Sequence, residues 1–325
     1  MPAAYYIDFT IGSTFRLCKE RSRLAFVEDL VPKEGVAPPL DFGSAFHAAI
    51  AKWLTARALQ TDDPEAQAKR AFIDYLRTSG GNLPISMDNE ASEPRSIERG
   101  LALLDCYFDR YRNEHYAPIT RPDTGEPYVE MGFAVHFMDW RGTPVFLVGR
   151  IDALKLNRID NKIYIFELKT TRIGLSSFVK RIRPNPQLTG YYMAAKELMA
   201  FDIAGVIWDA VFISTRQPNA KSKDPWLQNF GIDQEKDFVR VETRRSSVDV
   251  DEYLIDLVET TREYLELQER DLPRWTRSAP DACFMYNNPC PYLEICVTNI
   301  NPSIIQSKFQ KRRWEPWKGI VDATS

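Results

Sequence analysis

Between Tyr128 and Thr170 three β-rich segments follow one another, Tyr128–Trp140, Thr143–Leu156 and Asn161–Thr170, split only by the turn-like stretches 141–143 and 157–161. They read as successive strands of an antiparallel meander. Alternate side chains of a strand share a face, so Glu167 and Lys169 point the same way while Leu168 points into the core. Asp152 ends the preceding strand, where a hairpin brings it beside Glu167. Two carboxylates and one ammonium thus converge at one end of a sheet. Buried without a counter-ion, the carboxylates repel and one is pushed toward protonation. A divalent cation removes that conflict, and hard oxygen ligands favour Mg²⁺ or Mn²⁺. An ordinary solvent-facing Glu-x-Lys hairpin is the alternative.

The rest of the chain alternates with this region in texture. Residues 10–28 are predicted as a helix capped by Ser13 or Thr14, and 41–59 as a helix with Phe46, Ile50, Trp53 and Leu54 at helical spacing and His47 near that apolar face. Helices are also predicted over 64–78 and 93–116, separated by the turn-rich Ser79–Asn89. After the meander come a helix at 186–200, a strongly apolar strand at 204–215 returning to the same sheet, a weaker strand at 238–243 and a long amphipathic helix at 249–272. This gives a helical region over 1–120, a mixed α/β core over 121–275 and a Cys-rich end over 276–325, integrated as one domain.

Gln187 and Tyr191 lie four apart, on one face of their helix just past a basic connector. They can hydrogen-bond phosphate oxygens, or serve as a cap and a half-buried core tyrosine. The connector carries Arg172, Lys180, Arg181 and Arg183 with no acid between them, and the tail carries Lys308, Lys311, Arg312 and Arg313. A solvated face is the alternative for either patch.

The ordered set Gly149-Arg150-Ile151-Asp152, Glu167-Leu168-Lys169 and Gln187 with Tyr191 resembles the PD-(D/E)XK nuclease superfamily. Within it the similarity is to the RecB/AddB-type nuclease domain and its relatives among CRISPR-associated and phage exonucleases. The resemblance implies a central mixed β-sheet flanked by helices and hydrolysis of DNA, single-stranded or at duplex ends, with one or two Mg²⁺ or Mn²⁺ ions. Those relatives carry a Gly-x-x-x-His motif, matched here by Gly43 to His47, which makes His47 a metal ligand together with Asp152, Glu167 and the Leu168 carbonyl. Without it His47 reads as a core histidine. Glu130, on the first strand, lies where relatives often carry an acid. Lys169 holds the attacking water and stabilises developing charge, Gln187 and Tyr191 assist, and Arg172, Lys180, Arg181 and Arg183 contact the DNA backbone, with Phe178, Trp226 and Trp314 as candidate base-stacking rings.

Five cysteines and no secretory signal argue against a disulfide framework. Cys283, Cys290 and Cys296 are closely spaced and need a fourth ligand, for which Cys18 is the candidate. A group of RecB/AddB-like nucleases is similar in this, with one cysteine near the N-terminus and a Cys-Pro-Tyr-x-x-x-Cys ending. In those relatives the four thiolates hold a 4Fe–4S cluster that clasps the chain ends. The six residues between Cys283 and Cys290 exceed the two of the tightest pattern, which keeps Zn²⁺ as the alternative. Cys106 reads as a core residue.

With 42 basic and 45 acidic residues the net charge is −3, which excludes a histone-like binder that coats nucleic acid everywhere. No apolar run reaches membrane-spanning length and the first residues lack a signal-peptide pattern. The expectation is a cytoplasmic, nucleoid-associated protein with a replication or recombination partner. The competing class is a non-catalytic DNA-binding or assembly factor that keeps this fold and cluster.

Overall fold

The computed structural model describes residues 3–33, 38–79, 83, 95–285, 288–298, 302–315, 317, 318 and 320. Residues 34–37 and most of the predicted turn Ser79–Asn89 lie outside them. In chain order the elements are β1 (Tyr5–Ile7), α1 (Phe9–Leu17), α2 (Lys19–Ser22), a π turn (Arg23–Val27), β2 (Leu30–Pro32), α3 (Pro38–Ala58), α4 (Pro64–Ser79), α5 (Ile97–Tyr111), β3 (Tyr116–Pro118), β4 (Val129–Trp140), β5 (Thr143–Asn157) and β6 (Lys162–Thr171). They continue with α6 (Leu175–Val179), α7 (Pro186–Leu198), β7 (Ile203–Phe212), α8 (Pro225–Phe230), β8 (Phe238–Thr243), α9 (Ser247–Glu269), β9 (Phe284–Met285), β10 (Asn288–Pro289), α10 (Leu293–Val297), α11 (Pro302–Lys308) and β11 (Phe309–Lys311). The fold is mixed α/β around a central mixed sheet flanked by helices, as the resemblance implies. Among the described residues no helix is long and apolar enough to cross a membrane.

The chain forms two compact, interleaved units, one of residues 1–35, 132–149 and 246–325, the other of 36–131 and 150–245. The second unit holds β3, β6, β7, β8 and the C-terminal part of β5. β5 and β6 pair antiparallel, as the meander predicts, from Ala153↔Phe166 to Asn157↔Lys162. β6 and β7 run parallel, with α7 in the crossover between them, and β8 returns antiparallel to β7. Phe166 and Leu168 face a core built on Phe42, Phe46 and Trp53 of α3, Phe72 of α4 and Tyr107 and Phe108 of α5. On the other face Trp208, in register with Glu167, packs its ring 4.4 Å from Phe178 of α6. Within the α5 side of this core lies a buried ionic network. Lys155 donates to Glu114 Oε1 at 2.9 Å, Arg240 bridges Glu114 and Asp209, and the Tyr107 hydroxyl donates to Asp209 at 2.5 Å.

The first unit departs from the predicted helix over 10–28. Asp8, not Ser13 or Thr14, caps α1, accepting the Ile11 N–H at 2.7 Å. The helix then breaks at Cys18, whose backbone is extended. One continuous helix would not carry Glu20 and Arg23 to the positions they take. Both are buried, paired at 2.9 Å, and Glu20 also accepts the Trp275 N–H at 2.7 Å. Ile7, Ile11, Phe15, Tyr264 and Trp275 form the core here, and β2 pairs antiparallel with β11, tying distant parts of the chain together. The capping box of Ser246 and Asp249 starts α9.

Candidate active site

The β5–β6 ladder stops one residue short of Asp152. Beyond it the Asp152 carboxylate, rather than a β5 carbonyl, accepts the Leu168 N–H at 2.7 Å. The two strands part there, and the site occupies the fork. Glu167, 2% exposed in its side chain, comes up on the same face as Lys169, whose Nζ lies 2.6 Å from Glu167 Oε1. Glu167 Oε2 is buried with no hydrogen-bond partner.

His47 reaches this fork from α3. A Cβ on Gly43 would lie 3.1 Å from Thr170 Oγ1, so glycine lets the helix backbone approach the end of β6 closely. One turn further along the same helix face, His47 Nδ1 stands 3.5 Å from Asp152 Oδ2. Thr170 is the residue that sequence reasoning missed, since nothing in its spacing marks it as the surface on which Gly43 rests. Glu130 adopts φ +52°, a conformation rare for a side-chain-bearing residue, and lines a small cleft with His47 and Asp152, with room for little more than one water-sized sphere.

The electrostatics follow from this crowding. Burial, reinforced by the Asp152 charge, pushes the Glu167 carboxyl up to about 7. Burial also raises Glu130, again with Asp152 adding to it. Asp152 moves the other way, because His47, Lys169 and the Leu168 N–H together outweigh its burial. For His47 and Lys169 burial opposes the charged form, but the facing carboxylates prevail and both titrate above their ordinary values. An orphaned carboxylate oxygen, a second carboxylate and an imidazole beside it form a donor set that fits a hard divalent cation. Among the described residues no three His, Cys, Asp or Glu side chains already stand as a ready-made metal site.

Gln187 and Tyr191 do share a face of α7, and the Gln187 amide donates to the Tyr191 hydroxyl at 2.8 Å. Asn185 caps this helix and Pro186 opens it. Arg172, Lys180, Arg181 and Arg183 are all exposed, on a connector anchored by the buried side chains of Phe178 and Ile182. Phe178, 7% exposed and covered by Trp208, offers no ring face to a base, which corrects the expectation for that residue. Trp226 is half-buried against the core, and Trp314 is exposed.

Cys18, Cys283, Cys290 and Cys296 all belong to the first unit. Burial raises the Cys290 thiol, and Cys18 and Cys283 add to the shift; burial pushes Cys296 up to about 11, with Glu20, Cys290 and Cys18 contributing. The Cys290 N–H bonds the Cys283 carbonyl at 2.8 Å, and Tyr292 of the Cys-Pro-Tyr sequence donates to the Leu30 carbonyl at 2.7 Å. A bound metal would relieve the cost of ionising the raised Cys290 and Cys296 thiols, although among the described residues no three cysteines already stand as a metal site. Cys106 is fully buried in the helical core, with its thiol pushed up to about 12 by burial.

No curated protein matches the chain. The family model of the PD-(D/E)XK nuclease superfamily, in contrast, matches residues 10–297, a span that contains the fork, α3 and Cys18, Cys283, Cys290 and Cys296. The chain belongs to the PD-(D/E)XK nuclease superfamily.

Proposed function

We propose that this protein is a Mg²⁺- or Mn²⁺-dependent deoxyribonuclease that hydrolyses phosphodiester bonds from the β5–β6 fork. The observation that carries this is Glu167 Oε2, buried and unpaired beside Asp152, His47 and the ammonium of Lys169. His47, Asp152, Glu167 and the Leu168 carbonyl would hold one or two ions, with Glu130 at the margin. When bound, the cation supplies charge neutralisation at the scissile phosphate and lowers the pKa of water. Lys169, held by Glu167 and 31% exposed, donates toward the phosphate and stabilises the negative charge that builds there. The Gln187–Tyr191 pair presents an amide and a phenol to phosphate oxygens, and Arg172, Lys180, Arg181 and Arg183 attract the DNA backbone.

The RecB/AddB-type resemblance supports an exonuclease acting on single-stranded DNA or duplex ends, in replication, recombination or repair, within the nucleoid and alongside a protein of the same process. It also supports a 4Fe–4S cluster on Cys18, Cys283, Cys290 and Cys296, with Zn²⁺ as the competing occupant. Asp152→Ala, Glu167→Ala and Lys169→Ala should each abolish divalent-cation-dependent cleavage of end-labelled single- and double-stranded DNA. Undiminished cleavage by all three removes the assignment. Cys290→Ser should bleach visible iron–sulfur absorbance in anaerobically purified protein, whereas colourless, zinc-loaded protein favours the Zn²⁺ alternative.

A further inference from the structure

Away from the fork, and wholly within the first unit, a groove of about 430 Å³ is walled by Tyr5, Tyr6, Phe26, Tyr264, Trp314 and Trp317. Two features distinguish it from a core that happens to open to solvent. The first is ring geometry. Tyr6 is stacked between Phe146, at 5.8 Å and 27°, and Trp317, at 5.1 Å and 22°. Trp314 is 40% exposed, yet its indole N–H is fixed on Asp8 Oδ2 at 3.1 Å. A tethered indole with an exposed face is already oriented for stacking, so binding costs little rotamer entropy.

The second feature is charge. Lys308, Lys311 and Lys318 in this tail pair with Glu294, Glu28 and Glu315. Arg312 and Arg313 are exposed, and no carboxylate among the described residues forms an ion pair with either. The Arg313 guanidinium lies 5.9 Å from the Trp317 ring centroid, at the lip of the groove. Gln268 and Glu315 add polar groups able to meet base edges.

We infer that this groove binds a segment of single-stranded nucleic acid, stacking a base on Trp314 and drawing the backbone to Arg312 and Arg313. An acidic peptide satisfies the arginines but not the rings, and an apolar peptide the reverse. Duplex DNA keeps its base faces inside its own stack. Only a single strand supplies both π-faces and a continuous line of phosphates. The inference deepens the proposed nuclease reading by giving it a second, non-catalytic strand contact.

The test measures anisotropy of a labelled dT oligonucleotide with full-length Glu167→Gln protein in EDTA, so that no strand is cut. On that background Trp314→Ala should weaken binding roughly 5- to 150-fold, the range for loss of one base–aromatic stack. Arg312→Ala/Arg313→Ala, at exposed positions that leave the fold intact, should reduce the salt slope by about 1.4, two phosphate contacts at about 0.7 each. Affinities within twofold of the background in both variants overturn the inference, as does absence of dT binding in the background protein. So does a sedimentation shift in Trp314→Ala without an affinity change, which assigns the groove to a second copy of the chain. Cleavage by the unsubstituted protein judges the nuclease reading separately. Cutting with unaffected groove variants sinks only the groove, and affected groove variants without cutting sink only the nuclease.

Discussion

Glu167→Gln should make the cation-free protein more stable while ending its response to Mg²⁺. The Glu167 carboxyl sits at about 7 against an ordinary 4.5, a difference of 7 − 4.5 = 2.5 units. At about 1.36 kcal/mol per unit, the ionised form is disfavoured by about 3 kcal/mol in the folded state. That sum already includes the opposing pull of Lys169. The sign follows from linkage. A carboxyl raised on folding is neutral in both states below about pH 4.5, and its destabilisation grows as pH rises to about 7 and is then constant. Glutamine keeps the shape and removes the charge, though it gives up the short contact to Lys169, so a net gain of about 1–3 kcal/mol is expected at pH 8 and almost none at pH 4.5. For a chain of 325 residues that corresponds to roughly 1.5–4.5 °C in melting temperature. Thermal unfolding in EDTA at both pH values, repeated with Mg²⁺, measures it. The unsubstituted protein should be stabilised by Mg²⁺ and the variant should not. A variant no more stable than its parent at pH 8, or equally stabilised at both pH values, refutes the idea that the fork stores carboxylate repulsion for a cation to relieve.

Gly43→Ala should lower cleavage about tenfold with little loss of stability, because its Cβ presses α3 off Thr170 and His47 rides on that helix. Thr170→Ala in the same chain should restore much of the rate, and a double variant as slow as Gly43→Ala alone argues against this route. Lys155→Ala should cost about 3–5 kcal/mol in urea unfolding at pH 6, since it strips from Glu114 a fully buried amine that burial pulls down to about 7 but that is still mostly protonated there. A loss below about 1 kcal/mol means that Arg240 alone satisfies Glu114. Tyr191→Phe removes the acceptor of the Gln187 amide and should reduce the cleavage rate without weakening Mg²⁺-induced stabilisation, which steady-state assays and thermal shifts together resolve.

Much of the site was legible in the sequence because it depends on short-range periodicity. The two-residue strand repeat put Glu167 and Lys169 on one face, and the helical repeat put Gln187 and Tyr191 on another, and both pairs touch in the fold. Local chemistry misled where burial overrode it. Ser13 and Thr14 are good capping residues, but Asp8 caps α1, and the helix breaks at Cys18 where Glu20 and Arg23 are drawn inside. Phe178 lies within the basic connector and reads as a candidate stacking ring, yet Trp208, thirty residues later, covers it.

By itself, then, the sequence determined the order of the main strands and helices from α3 to α9, the shared faces of Glu167 with Lys169 and of Gln187 with Tyr191, and the chemistry of the donor set, since these follow from backbone periods and side-chain identity. Only the tertiary structure decided that Gly43 packs on Thr170 so that His47 meets Asp152, that Glu130 adopts φ +52°, and that Glu167 Oε2 is left unpaired. Those outcomes depend on which distant surfaces fit closely enough to exclude water, a property of packing that no local spacing encodes.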